Sequence, residues 1–365
     1  MIPFIKPYFD ADDFEAVRAV MRSGWVAQGP KCEEFEEEIC RYLGCNYAIT
    51  VSNCTAALYL SLLALGIKKG DEVIVPDYTF PATALAVLHV GAMPVLVDVD
   101  RKSYNVMAKN IEMAITKKTR AMIPVHLFGR VCDDMDEITR IAKYYSIYVI
   151  EDAACSFGAR FPDNKFAGTI GNIGCFSLHA SKGITTGEGG ICVTNDVGLA
   201  TKIRRFSCFG DERTYRKQAY NGIPSTFHTS GFNFKMSDIT AAIGLAQLKK
   251  VEKLIDWRIK VAEDWNAVIM KDDVLKSSLY PIELSCDRTN IYQSVIAVAK
   301  EGMHDTVKKY LISKGAMIGI GTHACHVYKD TFPSSGDYPM SSYLFQNAIS
   351  LPRYYGLDVE KEWYS

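Results

Sequence analysis

The chain has 365 residues, of which 48% are hydrophobic and 23% charged, and its formal net charge is −1. This is the balance of an ordinary globular protein, and the length exceeds what one compact domain usually holds. The near-neutral charge gives no electrostatic reason to expect nucleic acid or an anionic membrane as a partner. A ligand that carries a nucleotide stays compatible, because its phosphates need only a local basic patch.

The cysteines and the N-terminus predict the compartment. The 11 cysteines are an odd number and contain no Cys-x-x-Cys pair, so we expect neither a disulfide framework nor a metal site. The N-terminal segment MIPFIKPYFDADD lacks the basic start and apolar run of a signal peptide. No stretch has the apolar length that spans a bilayer. The sequence therefore predicts a cytoplasmic protein.

The first two-thirds of the chain alternates between two patterns. After helix-like segments at 12–23 and 31–42, short apolar runs typical of buried strands alternate with further helix-like segments. The predicted strands are 47–51, 72–76, 93–99, 120–128, 148–152, 173–178 and 189–195. The predicted helices between them are 55–66, 80–89, 109–116 and 132–145. Apolar strands between helices favour an α/β fold with a mostly parallel, seven-stranded sheet covered on both faces.

The pattern changes after Val197, where helical spacing dominates from 236 to 270. We predict a large domain over residues 1–250 and a smaller C-terminal α/β domain over residues 251–365. The elements predicted in the smaller domain are strands at 293–299 and 316–321 and a helix at 303–314.

Lys182 lies in the most informative segment, CFSLHASKGITTGEGG (175–190). A solvated surface cation is the ordinary interpretation of a lysine. This lysine, however, follows a predicted buried strand in a loop of small residues, and such loops face the crevice where α/β folds bind ligands. A lysine amine in a crevice can form a Schiff base with a carbonyl group.

Asp152 closes the predicted strand VIED (149–152). Its carboxylate could bind magnesium, cap a helix, or face a protonated ring nitrogen such as that of pyridoxal phosphate (PLP). Ala153 and Ala154 beside it would let a flat ring lie against the backbone. For an isolated aspartate, a cap or a metal ligand is the commoner role.

Two further segments predict ligand contacts. A helix opens around Thr55 after a strand, so the main chain of Thr55 and Ala56 could bind a phosphate, with Ser52 or Asn53 as the helix cap. Phe80 lies between a strand and a helix, where it could stack on a bound ring, although core packing is more common for an aromatic residue.

Taken in order, these segments resemble the nucleotide-sugar aminotransferases of the DegT/StrS type. The resemblance runs from about Pro7 to about Lys260 and weakens afterwards. It implies the fold type I architecture of PLP-dependent transferases and a homodimer whose active sites are built from both chains. The runs that carry it are SGWVAQGPKCEEFEEEICRYLGCNYAITVSNCTAALYL, VIVPDYTFPATALAV, MPVLVDVD, IPVHLFG, VIEDAA, CFSLHASKGITTGEGG and GFNFKMSDITAAIGLAQLKK.

The resemblance also implies roles for single residues. Lys182 resembles the Schiff-base lysine, and Asp152 resembles the partner of the pyridine nitrogen. The presence of Lys182 argues against a subgroup in which histidine replaces the lysine and the enzyme dehydrates sugars. The remaining implied cofactor contacts are the phosphate ligands Thr55, Ala56 and Ser177, the ring-stacking Phe80 with Ala154 on the opposite face, and Asn233, which reaches the phosphate of the neighbouring subunit.

The chain departs from the family pattern at several positions. Cys54 stands where glycine is usual, Cys155 replaces a glutamine or histidine near the phenolic oxygen of PLP, and Gly183 replaces an asparagine. The segment 322–330 only loosely resembles the histidine-containing substrate segment, and His323 is its candidate substrate residue.

The function implied is ping-pong transamination. An amino group would pass from an amino acid, usually L-glutamate, to a nucleotide-linked keto-deoxy sugar at C3 or C4. The basic residues of the loop 204–220 could bind the nucleotide diphosphate, with Arg213 as the candidate, although a solvated basic loop is an equal alternative. Four basic residues cluster in this loop, namely Arg205, Arg213, Arg216 and Lys217.

Other functions stay open at this stage. The acceptor could be a cyclitol ketone, or the protein could be a sulfur-transferring PLP enzyme that uses Cys155 or Cys325. It could also be a non-catalytic PLP-binding regulator, although the intact Lys182 and Asp152 argue against that. The conversion of glutamate to 2-oxoglutarate would separate transamination from both of the last two.

Overall fold

A computed structural model describes residues 1–211, 226–285 and 287–364. The strands are β1 (Ile5–Lys6), β2 (Tyr47–Val51), β3 (Glu72–Pro76), β4 (Tyr78–Thr79), β5 (Met93–Val97), β6 (Thr119–Met122), β7 (Tyr148–Asp152), β8 (Ile173–Ser177), β9 (Gly190–Thr194), β10 (Val295–Val298), β11 (Gly319–Ile320), β12 (His323–Ala324), β13 (Ala348–Leu351) and β14 (Arg353–Tyr354).

The α-helices of the described residues complete the list of elements. They are α1 (Ala11–Ser23), α2 (Pro30–Leu43), α3 (Cys54–Ala64), α4 (Ala82–His89), α5 (Ala108–Met113), α6 (Met135–Tyr145), α7 (Val197–Ser207), α8 (Asp238–Leu248), α9 (Val251–Lys271), α10 (Asp273–Ser278), α11 (His304–Ser313), α12 (Pro339–Asn347) and α13 (Val359–Tyr364).

The main sheet has seven strands in the order β2-β9-β8-β7-β6-β3-β5. β9 runs antiparallel to both of its neighbours, and the other pairs are parallel. The α/β class and the mostly parallel, seven-stranded sheet are therefore confirmed. All five residues of β8 and all five of β9 are buried, as expected when helices cover both faces of a sheet.

The predicted strand 120–128 is longer than the strand observed. β6 ends at Met122, because Pro124 has no N–H to continue the ladder. The chain then turns through Phe128 and Gly129, both with positive φ (58° and 97°). A Cβ on Gly129 would lie 2.7 Å from the amide nitrogen of Gln293, so this turn requires glycine on two grounds.

The C-terminal part contains a second, three-stranded antiparallel sheet in the order β10-β13-β11. Its central strand β13 was not predicted, because AISL is too short a run to distinguish a strand from a buried helical turn. Trp265 and Trp363 pack in the apolar core beside this sheet. The domain boundary near residue 250 stays a prediction.

The C-terminal part also reaches the main sheet. β12 pairs with β4, which places His323 opposite Thr79. Because β4 follows β3 directly, this pairing brings a C-terminal histidine to the carboxyl edge of the main sheet, where ligands of α/β folds bind. Within the ranges given above, no helix combines the length and the apolar character needed to cross a membrane.

Candidate active site

A cavity of about 310 Å³ opens at the carboxyl edge of the main sheet. It lies where β7 and β8 end and where α3 begins, so side chains from distant parts of the sequence share its wall. Seven residues predicted from the sequence line it, namely Thr55, Phe80, Asp152, Ala154, Cys155, Ser177 and Lys182.

Lys182 follows β8 in a tight turn, in which its amide donates to the carbonyl of His179 at 2.9 Å. The side chain is half-buried. Its Nζ donates a hydrogen bond to the Sγ of Cys155 at 3.1 Å. Cys155, one of the residues in which this chain departs from the family pattern, therefore contacts the Lys182 amine.

Asp152 is the last residue of β7 and is only 5% exposed. Its Oδ2 accepts from the Thr83 hydroxyl at 2.7 Å, and its Oδ1 accepts from the Ala154 amide at 3.1 Å. Burial raises the pKa of the Asp152 carboxyl, and the hydrogen bonds from Thr83 and Ala154 oppose that shift. A protonated ring nitrogen nearby would favour the charged carboxylate. Sequence reasoning missed Thr83, for which the only signal was its position on α4 after Phe80.

The first turn of α3 provides main-chain donors for an anion. Asn53 caps the helix, and its Oδ1 accepts from the Ala56 amide at 2.8 Å. That amide is therefore already engaged, unlike our expectation for Ala56. The amides of Cys54 and Thr55 precede the intrahelical ladder, and both residues line the cavity, as does Ser177. The amides of Cys54 and Thr55 are thus further candidate donors beside the cap, and the phosphate contacts of Thr55, Ala56 and Ser177 stay predictions.

Phe80 lies at the wall of the cavity with 63% of its surface exposed. Core packing, the common alternative for this residue, is therefore wrong. The His323 ring lies 6.0 Å from the Phe80 ring at 70°, and His323 Nδ1 is 2.8 Å from the Tyr328 hydroxyl. Burial lowers the pKa of His323. His323 thus stands beside the cavity, and its contact with substrate stays a prediction.

The other predicted residues lie elsewhere. Asn233 is exposed, its side-chain oxygen accepts from Lys235 Nζ, and it does not contribute to the described cavity wall of its own chain. Its contact with the phosphate bound in a neighbouring subunit stays a prediction. Arg213 lies outside the described residues, as do Arg216 and Lys217.

A buried pair behind Asp152 also escaped prediction. His126 and Glu151 are both fully buried, and their side chains are 2.8 Å apart. Because the Cys132 amide donates to Nδ1 of His126 at 2.9 Å, Nε2 carries the proton and donates to Glu151. Glu151 also accepts three main-chain amides, those of Gly168, Ile170 and Gly171. This network holds the end of β7, and so it fixes where the Asp152 carboxylate lies.

These residues match the functional groups of pyridoxal phosphate. The Lys182 amine is available for its aldehyde. The buried Asp152 carboxylate, whose charged form a neighbouring cation would stabilise, is available for its protonated ring nitrogen. Phe80 and Ala154 can flank the ring, and the start of α3 can receive its phosphate. The fold and the site together define a PLP-dependent enzyme of fold type I.

Comparison with known proteins identifies the family. Residues 7–362 match the DegT/DnrJ/EryC1/StrS aminotransferase family, and the chain belongs to it. It is therefore a sugar aminotransferase, and pyridoxal phosphate is its cofactor. The resemblance seen in the first 260 residues thus extends through the C-terminal part.

Several relatives show what the chain is similar to. The spore coat polysaccharide biosynthesis protein SpsC of Bacillus subtilis is 32% identical over 97% of this chain and 92% of its own. PseC of Helicobacter pylori, an aminotransferase of pseudoaminic acid biosynthesis, has a TM-score of 0.88 at 26% identity, covering 99% of this chain and 96% of that chain. ColD, a GDP-4-keto-6-deoxymannose-3-dehydratase solved with bound GDP-perosamine, has a TM-score of 0.86 at 26% identity. The match covers 97% of this chain and 96% of the ColD chain.

Proposed function

We propose that this enzyme transfers an amino group from an amino acid, L-glutamate in the first instance, to a nucleotide-linked keto-deoxy sugar at C3 or C4. The proposal rests on one observation, that Lys182 and Asp152 line the same cavity. The nucleotide-linked substrate is supported by the GDP-perosamine bound to ColD, and the aminotransferase activity on a sugar by the part that PseC plays in the biosynthesis of pseudoaminic acid.

Each residue has a defined task. PLP supplies the electron sink for transamination when bound. The Lys182 amine would hold the cofactor through its aldehyde, and the same amine, when free, would move a proton at the substrate carbon. A proton carrier in hydrogen-bond reach contributes roughly 10²- to 10⁴-fold. Asp152 would keep the ring nitrogen protonated, and the Thr83 hydroxyl, which donates to Oδ2 of Asp152, would orient that carboxylate.

The second half of the ping-pong cycle uses the same residues in reverse. The keto sugar enters after the keto acid leaves, and Lys182 returns the proton to the sugar carbon that accepts nitrogen. Phe80 lies at the cavity wall, and its ring centroid is 6.0 Å from that of His323. We place the sugar against this pair. The sugar's diphosphate is assigned to the basic loop that contains Arg213.

We further propose that the enzyme is a homodimer. Large apolar side chains of α1 and the segment after it are exposed, among them Phe14 (63%), Met21 (64%) and Trp25 (40%). Exposed apolar side chains close together are typical of a protein interface. In the dimer, Asn233 would donate to the phosphate bound in the other subunit. The cytoplasmic location also stays a prediction.

The test uses the aminated form of the cofactor. The protein is loaded with pyridoxamine phosphate and mixed separately with UDP-, GDP- and dTDP-linked 4-keto and 3-keto sugars, and with a cyclitol ketone. We expect one nucleotide-linked ketone to restore the visible absorbance of the Lys182-bound cofactor and to yield an aminated sugar. Restoration by the cyclitol alone, or by 2-oxoglutarate alone, would refute the proposed acceptor.

A further inference from the structure

The face of the Lys182 turn that points away from the cavity is held by side-chain hydrogen bonds. Arg258, on α9, donates from Nη2 to the main-chain carbonyl of Lys182 at 2.9 Å. Its Nη1 donates to Oε1 of Gln293 at 2.8 Å. Gln293 in turn donates from Nε2 to the carbonyl of Ser181 at 2.6 Å. The carbonyls of two consecutive peptide groups, one on each side of the Lys182 Cα, are therefore fixed by one linked pair of side chains.

Gln293 is itself fixed. It is 2% exposed, and its carbonyl accepts from Nε of Arg353 at 2.5 Å. Arg353 is 8% exposed and also donates to the Ser350 hydroxyl at 3.1 Å. The pair of Arg258 and Gln293 thus connects the Lys182 turn to α9 and to the start of the small sheet.

Gly183 makes this arrangement possible. A Cβ at that position would lie 2.6 Å from Nη1 of Arg258, closer than non-bonded atoms approach. The asparagine that is common after the lysine in this family could not occupy position 183 without displacing the guanidinium. The departure at Gly183 and the hydrogen bonds of Arg258 are therefore parts of one feature.

The guanidinium groups of Arg258 and Arg353 also place positive charge beside the Lys182 turn. Neither Arg258 nor Arg353 has a carboxylate within ion-pair distance in the described part of the chain. Burial, followed by the neighbouring Arg353, lowers the pKa of Arg258 to about 9. At neutral pH Arg258 still carries its positive charge, directly behind the turn whose lysine contacts Cys155.

We propose that Arg258 and Gln293 are positioning residues that hold the backbone on each side of Lys182, so that the Lys182 amine is presented to the cavity. The positive charge of Arg258 also disfavours protonation of the Lys182 nitrogen when the cofactor is bound. This inference rests on the proposed function for its consequence in catalysis. Its structural part does not, because the hydrogen bonds join groups of the chain itself.

The first experiment uses the cofactor-free protein and measures amide hydrogen exchange in the peptide 179–187. We expect Arg258→Gln and Gln293→Leu each to speed exchange there by roughly tenfold, because each leaves a main-chain carbonyl without its donor. Gly183→Ala should act in the same direction by displacing the guanidinium. Arg288→Gln is the matched control, because it removes contacts to the same helix, at Asp256 and Glu252, without touching the turn.

The second experiment follows the pH midpoint of the visible absorbance change of the cofactor-loaded protein. A cation near a protonated nitrogen disfavours the protonated form. We therefore expect Arg258→Gln to raise the midpoint by about one unit, Arg258→Lys to restore most of the original value, and Gln293→Leu to shift it less.

The outcomes separate this inference from the proposed function. Unchanged exchange in the peptide 179–187 for Arg258→Gln and Gln293→Leu would overturn the positioning role, whatever the enzyme's substrate. An unchanged midpoint in Arg258→Gln would overturn the electrostatic role. Faster exchange in an enzyme that aminates no sugar would uphold the positioning role and reject the proposed acceptor.

Discussion

The Lys182 turn has two sides that differ in how their polar groups are used. On the cavity side, the Asp152 carboxylate, the Lys182 amine and the first amides of α3 face a space of about 310 Å³. On the opposite side, Arg258 and Gln293 direct their hydrogen bonds to main-chain carbonyls. The cavity side keeps groups available for a ligand, whereas the other side fixes the turn. A catalytic lysine needs both, since its backbone must stay in place while its amine changes partners.

The largest effect is expected on the cavity side, at Lys182 itself. Lys182→Ala should fold, show no visible absorbance from a covalently held cofactor, and lose at least roughly 10²- to 10⁴-fold in turnover, the contribution of the missing proton carrier alone. Absorbance spectra and turnover measure both effects. Lys165→Ala, at an exposed lysine paired with Asp163, is the control. Normal turnover in Lys182→Ala would refute the assignment.

Asp152→Asn should reduce turnover by about 10²- to 10³-fold, because a preorganised charge opposite the ring nitrogen is lost. In the cofactor-free protein, by contrast, the same substitution should increase the stability of the fold. Burial raises the pKa of Asp152, so the folded state retains a proton that the unfolded state releases as pH rises above the ordinary aspartate value.

The stability of cofactor-free protein should therefore fall through that pH window, up to the folded-state pKa of Asp152, and the fall should be absent in Asp152→Asn. Chemical denaturation at a series of pH values from about 4 upward measures the free energy of unfolding of both proteins. Identical pH dependence in the two proteins would show that Asp152 is not the group responsible.

Thr83→Val sharpens the account of Asp152. The substitution keeps the shape of the side chain and removes the hydroxyl that donates to Oδ2. Leaving a buried carboxylate without one donor costs about 1–3 kcal/mol, so we expect turnover to fall roughly tenfold and the pKa of Asp152 to rise further. Thr83→Ser should restore turnover. If Thr83→Val and Thr83→Ser behave alike, the hydrogen bond has no part in catalysis.

The smallest effect is expected at the cavity wall. Phe80→Ala should weaken cofactor binding about three- to tenfold, since an aromatic pair contributes about 0.5–1.5 kcal/mol beyond buried area. Titration of the cofactor-free protein with PLP measures the change. Phe80→Tyr keeps the ring and should bind as tightly as the original. Equal affinity of Phe80→Ala and the original protein would remove Phe80 from the cofactor site.

The sequence predicted the cavity side of the turn far better than the opposite side. The predicted strands at 47–51, 72–76 and 148–152 match β2, β3 and β7 residue for residue. Strand ends are places where chemistry can be read from residue type, so Asp152 and Lys182 were recognisable. The pattern of buried apolar runs was also enough to predict the seven-stranded sheet.

The opposite side could not be predicted, because its contacts join residues far apart in the chain. Arg258 lies 76 positions from the carbonyl that it holds, and nothing in its own segment distinguishes it from a solvated arginine. Gly183 was visible as a departure from the family pattern, but its meaning depends on the guanidinium beside it. The hydrogen bond from the Ala56 amide to the Asn53 side chain likewise needed the observed helix cap.

The most direct test of the central claim is chemical trapping of the cofactor. The protein is incubated with PLP, reduced with borohydride, digested and analysed by mass spectrometry. We predict one pyridoxyl group per chain, on the peptide that contains Lys182, and its loss in Lys182→Ala. A group found on another lysine, in protein that still transfers amino groups, would contradict the account.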